Sequence, residues 1–218
     1  ATPTAPLLTS TANSPDARIY TLAGGCRAVL LLGPNGLADG VLGFGDASRQ
    51  VRFEGLHLAV RHHVLGTWPS AAVVKSVRLE RDSAGRDRIV HTVHVDDETL
   101  ALTVTAWADG PALRLKVESA DALTTLTLNA ADQTASRVYY GHGYCIVDPQ
   151  PFRAGSGGHN LSTSHVGFDF ASGLSMLTAS DTPVDDFNVD PTRRLYQLRT
   201  HPDATLTFVP GFSGALDC

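Results

Sequence analysis

The sequence predicts an all-β protein, two antiparallel sheets packed face to face as a sandwich. Three observations predict it. Short segments of β-branched, leucine and aromatic residues recur along the chain, separated by turn signals at the spacing of sandwiches and barrels. Several of them alternate apolar and polar residues with the period of two that a half-buried strand shows. No long segment carries a helical period behind an N-terminal cap.

In chain order, Ile19 to Leu32 holds two apolar runs broken by Gly24-Gly25. The stretch GPNGLADGVLGFGD that follows is rich in glycine and turn dipeptides and reads as a loop between strands, since it lacks the lysine and following helix of a phosphate-binding loop. Val51 to Val64 alternates over a length suited to one bent strand or two short ones. Val73 to Arg81 and Arg88 to Val95 flank the turn sequence DSAGRD and form a candidate hairpin. Beyond Asp96-Asp97, the segment from Glu98 to Trp107 sets Leu100, Leu102, Val104 and Ala106 on one face and Thr103, Thr105 and Trp107 on the other. After the turn from Ala108 to Pro111, ALRLKVES points Leu113, Leu115 and Val117 inward and Arg114, Lys116 and Glu118 outward, which fixes its register. Leu123 to Asn129 is another strand. His165 to Phe170 with Leu174 to Ser180, and Leu195 to Thr200 with Thr205 to Val209, read as two further hairpins separated by the acidic loop DTPVDDFNVDPT.

Composition narrows the class. A chain of 218 residues, 43% hydrophobic and 18% charged, fits one domain with a sizeable core. Residues 1–18, rich in Ala, Thr, Ser and Pro, read as a flexible tail or linker without the basic start and apolar middle of a signal peptide, and residues 19–218 as a single sandwich domain. A net charge of -5 with scattered Lys and Arg excludes a nucleic-acid footprint, and no apolar run is long enough to form a helical membrane span. Cys26, Cys145 and Cys218 are too widely spaced for a zinc or redox motif and read as free or buried thiols, although one internal disulfide among them stays open. Cys218 follows a Gly-Phe-Ser-Gly stretch with no closing element, so the expectation is a domain cut from a longer protein.

The stretch from Arg137 to Phe170 is the part that looks built for more than packing. Tyr139, Tyr140 and Tyr144 supply rings with polar tips, and His142 lies between Gly141 and Gly143. With His159, His165 and Asp169 they make a candidate carbohydrate-binding set, because a sugar stacks its C–H faces on rings and needs donors and acceptors for its hydroxyls. The plainer alternatives are a tight turn at His142 and an outward strand position for Asp169. Asp185, Asp186, Asn188 and Asp190 concentrate oxygen ligands as calcium prefers, against the alternative of a solvated acidic loop without the Gly and Glu of an EF-hand. Other histidines argue against a metal clamp: His62 and His63, like His91 and His94, differ in parity and face apart on a strand. His91 shares parity with Ile89, Val93 and Val95, which predicts a hydrogen-bonded inward residue. No nucleophile elbow is present.

The order of a long strand over residues 51–64, a hairpin, then TVTAWADGPALRLKVES followed by LTTLTLN resembles the galactose-mutarotase-like supersandwich domains of large glycoside hydrolases, over roughly residues 51–210. The resemblance implies an extracellular or periplasmic carbohydrate-active protein in which this domain is accessory to a catalytic domain of the same polypeptide and has no turnover alone. The chain departs from stand-alone mutarotases, which use a His acid and a Glu base: its Glu54, Glu80, Glu98 and Glu118 all sit on predicted strands, and only Glu54 has histidines nearby. A self-contained epimerase or polysaccharide lyase using His142 or His159 as acid or base, and a structural spacer without a ligand, are the alternatives.

Overall fold

The structure, a computed structural model, describes residues 16–60, 63–65, 72–119, 124–130, 135–140, 163–170, 172–184, 186–190, 195–200 and 205–211. Its strands are β1 (Ala17–Thr21), β2 (Arg27–Gly33), β3 (Gly36–Gly45), β4 (Gln50–Val60), β5 (His63–Val64), β6 (Val73–Arg81), β7 (Asp87–Val95) and β8 (Glu98–Asp109). They continue as β9 (Ala112–Ser119), β10 (Thr124–Ala130), β11 (Ala135–Tyr140), β12 (Thr163–Phe170), β13 (Ser175–Val184), β14 (Asp186–Asp190), β15 (Leu195–Thr200) and β16 (Thr205–Pro210). No helix occurs among the described residues, so none is long and apolar enough to cross a membrane.

The expected two-sheet antiparallel sandwich is what forms. One sheet runs β1-β2-β3-β4-β10-β15-β14, with β5 paired to β4, and the other runs β11-β12-β13-β16-β9-β8-β7-β6. Every pairing among the described residues is antiparallel. Each sheet contains a four-strand meander made from consecutive segments, because short polar turns favour pairing between neighbours in sequence. Asp96 and Asp97, at φ 49° and 64°, make the two-residue turn between β7 and β8, a left-handed geometry that aspartate tolerates better than most residues.

Alternation set the faces as predicted. Leu113, Leu115 and Val117 of β9 are buried, as are Leu102, Val104 and Ala106 of β8, while Leu100 packs partly buried against them. Thr103 and Thr105, on the opposite face of β8, are buried as well. Thr105 lies in a row between Arg88 and Lys116, and long neighbours of this kind shield a short side chain with their aliphatic stems. Between the sheets, four phenylalanines form a chain of rings. Phe44 stacks on Phe208 of the other sheet at 5.5 Å and meets Phe53 edge-on at 6.2 Å; Phe53 in turn meets Phe170 of the other sheet at 6.0 Å.

His91 is the polar rivet of this core. The Leu37 amide of β3 donates to its Nε2 at 3.0 Å, and its Nδ1 lies 3.3 Å from the Leu102 carbonyl of β8, so Nδ1 carries the proton and the neutral ring bridges the sheets. Gly36, at φ +68°, lies against this ring, and a Cβ there would sit 2.5 Å from Nε2. The inward, hydrogen-bonded role predicted for His91 from parity is the one it has.

Four expectations change. First, β1 begins at Ala17, so Ala17 and Arg18 pair with Leu31 and Leu30 instead of belonging to the tail. Second, the glycine-rich stretch is mostly strand: it turns at Pro34-Asn35 and then runs as the largely buried β3, its glycines admitting close neighbours such as His91. Third, the described part of the acidic stretch is strand, since β13 extends to Val184 and Asp186 to Asp190 form β14. Fourth, β15 and β16 do not make a hairpin. β15 pairs with β10 and β14 in one sheet, whereas β16 pairs with β9 and β13 in the other. Both strands satisfy the alternation rule in either arrangement, so local pattern could not distinguish a hairpin from a crossing between sheets.

Candidate functional site

Of the ligand-binding candidates singled out in the sequence, Tyr139, Tyr140, His165 and Asp169 lie on β11 and β12, at one edge of the second sheet. Tyr139 and Tyr140 end β11, paired with Gly167 and Val166 of β12, and His165 lies on β12 opposite Ala179 of β13. The row of Tyr140 continues through Val166 and Thr178 to Phe208, and that of Tyr139 through Gly167 and Leu177 to Val209. Asp169 is half-buried, and its Oδ1 accepts the Ser175 hydroxyl at 2.7 Å from the facing strand. His142, Tyr144 and His159 lie outside the described residues. Of the calcium candidates, Asp186, Asn188 and Asp190 pair with Arg199, Gln197 and Leu195 along β14, and Asp185 lies outside the described residues. Among the described residues, no three His, Cys, Asp or Glu side chains gather as a metal site needs. Cys26 is a buried free thiol, which burial pushes up from the ordinary cysteine value; Cys145 and Cys218 lie outside the described residues.

A second polar constellation lies toward the opposite edge of that sheet, where β6, β7 and β8 meet β1 of the facing sheet. It is built around the turn between β6 and β7. Asp82 Oδ1 accepts the amides of Arg86 at 2.8 Å and Ala84 at 2.9 Å, closing the turn, while Oδ2 accepts Arg86 Nε at 2.6 Å. These bonds, the Arg86 amide foremost, hold the Asp82 carboxyl below the usual range. They also orient Arg86, whose guanidinium carbon lies 5.0 Å from the centre of the Trp107 ring on β8, within cation–π reach.

The next residue points the other way. Asp87 is only 6% exposed, and a buried carboxylate needs partners. β1 supplies them across the sandwich edge. Tyr20 donates its hydroxyl to Oδ2 at 2.9 Å, and Arg18 donates Nε to Oδ1 at 3.2 Å. Burial, reinforced by the Asp87 carboxylate, pushes the Tyr20 phenol far above its ordinary value, so it remains a donor. Arg81 completes the ring of charges with Nε 3.7 Å from Asp87 Oδ1, beyond hydrogen-bond reach, and its side chain is 65% exposed.

Above this network opens a depression of about 440 Å³, lined by Ile19, Tyr20, Arg81, Arg86, Asp87 and Trp107 together with the small residues Ala84, Gly85, Ala106 and Ala108. Small residues keep it open, the indole and tyrosine rings give it apolar walls, and the arginines give it donors. The Asp87 carboxylate is engaged by Tyr20 and Arg18, which suits anchoring the wall better than moving a proton.

Local sequence pattern does not single out this constellation. DSAGRD reads as a turn and Trp107 as a residue on the same face of its strand as Thr103 and Thr105, and both readings hold. The available signal was the repeated Arg-Asp pair, Arg81-Asp82 and Arg86-Asp87, bracketing that turn beside a strand that ends in Trp107. The contribution of Tyr20 and Arg18 had no local signal, because the pairing of their strand places them more than sixty positions from Asp87. A comparison with protein-family models finds no match for the chain, and one with curated proteins finds none either.

Proposed function

We propose that the chain is a carbohydrate-binding β-sandwich domain, accessory to a catalytic domain of the same polypeptide in an extracellular glycoside hydrolase-like protein, and without turnover alone. The observation that carries the binding reading is the depression beside Trp107. Its volume of about 440 Å³ falls in the size range of small-ligand sites. It combines an indole with guanidinium donors, and a pyranose ring needs a flat apolar surface for its C–H face and directional donors for its hydroxyls. The accessory role follows from the resemblance to galactose-mutarotase-like domains. It agrees with a site whose buried carboxylate is occupied by structural partners.

The test is calorimetric titration of the wild type and Trp107→Ala against plant, algal and mucin glycans, with melting temperature followed in parallel. Trp107 is only half-buried, so the variant should remain folded and lose most of its glycan affinity, since binding energy concentrates in aromatic anchors. A wild type that binds no glycan, or a variant that binds as tightly as the wild type, would overturn the assignment.

A further inference from the structure

We infer that the depression beside Trp107 selects glycans bearing carboxylate groups, uronate residues, and that Arg81 is the residue that reads the carboxylate. This rests on the carbohydrate-binding reading and narrows its ligand class.

The argument is one of charge and of which donors are already in use. Arg81, Arg86 and Asp87 line the depression, with Arg18 paired to Asp87 and Asp82 paired to Arg86 behind them, so three guanidinium groups stand against two carboxylates. Among the described residues this group leaves one positive charge over, in a chain whose net charge is -5. Nearby ion pairs do not change the balance: Arg78 is paired with Glu80 at 3.4 Å and Arg114 with Asp109 at 2.6 Å.

The three arginines differ in what they have left to offer. Arg18 gives Nε to Asp87 and Nη1 to the Ala17 carbonyl, and Arg86 gives Nε to Asp82 and lies near the Trp107 ring. Arg81 has only its 3.7 Å approach to Asp87, and among the described residues no hydrogen bond occupies its guanidinium. A planar fork of donors at the rim of an apolar-walled depression matches a carboxylate in geometry and charge. A neutral sugar would leave the excess charge without a partner. A single excess positive charge suits one monoanionic carboxylate per subsite better than a group carrying more charge.

The experiment measures dissociation constants for three kinds of oligosaccharide of matched length: oligouronates, the same oligouronates as neutral methyl esters, and sulfated oligosaccharides. Each is titrated into the wild type and Arg81→Gln at low and physiological ionic strength. The exposed position of Arg81 leaves folding little affected by this change, which the melting temperature checks. The expected result is oligouronate binding about tenfold or more tighter than its ester, the scale of one charge-assisted hydrogen-bonded contact. Arg81→Gln should erase that ratio by weakening the acid far more than the ester, and added salt should weaken only the acid. Equal binding of acid and ester by the wild type, or an acid preference that survives in Arg81→Gln, would overturn the inference and leave the carbohydrate reading standing. Tighter binding of the sulfated glycans would overturn the carboxylate assignment. No binding of any glycan would overturn both readings.

Discussion

His91 makes the fold acid-sensitive in a defined window. Burial pushes its imidazole from the ordinary 6.5 down to about 4, and the Leu102 carbonyl, which favours the charged ring, opposes this only in part. In the unfolded chain the same ring takes up its proton near 6.5, so between these values the unfolded state binds more protons than the native one. Stability therefore stands in full above about pH 6.5 and is lost as pH falls through the window towards 4. The loss from this residue amounts to about 3 kcal/mol, a large part of the margin of an ordinary domain. The structural reason is that charging Nε2 would turn the acceptor of the Leu37 amide into a second donor facing it.

Urea denaturation at pH 7 and at pH 4, for wild type and His91→Gln, isolates the effect. The wild type should lose about 3 kcal/mol more than the variant between the two pH values. Asp46 and Asp82 do not obscure the comparison. The Ser48 hydroxyl, Arg49 and neighbouring amides hold Asp46 below the usual carboxylate range, and the Arg86 amide and its turn do the same for Asp82. The stability such groups contribute is present above the unfolded carboxylate value and lost only below it. Equal losses in wild type and variant, or an imidazole that titrates near 6.5 in the folded protein by NMR, would refute the argument.

Two further outcomes follow from the register and the buried network. Leu115→Ala should lower stability by about 2–5 kcal/mol, because it opens a cavity on the core face beside Leu206 of the neighbouring β16, while Lys116→Ala on the outer face of the same strand should change it little; equal, small shifts in the denaturation midpoint would contradict the register. Tyr20→Phe should cost about 1.5–3 kcal/mol by removing the hydroxyl that satisfies the buried Asp87 carboxylate, and an unchanged midpoint in urea would show that the carboxylate does not depend on it.

Fold class, most of the strands and the facing of the best-patterned ones were legible in the order of the residues. Each of these is written in a period of two and in local turn chemistry: Leu113, Leu115 and Val117 could point only one way once the core had a side, and parity alone turned His91 inward. That β15 and β16 part into different sheets, that the glycine-rich segment is a largely buried strand, and that Tyr20 and Arg18 meet Asp87 became visible only in the packed molecule. Those outcomes depend on which distant strand lies alongside or across the sandwich. The physical reason is that alternation specifies which face of a strand is apolar and is silent about its partner. A glycine carries no alternation at all, and a buried carboxylate takes its donors from whichever strand the packing brings within about 3 Å.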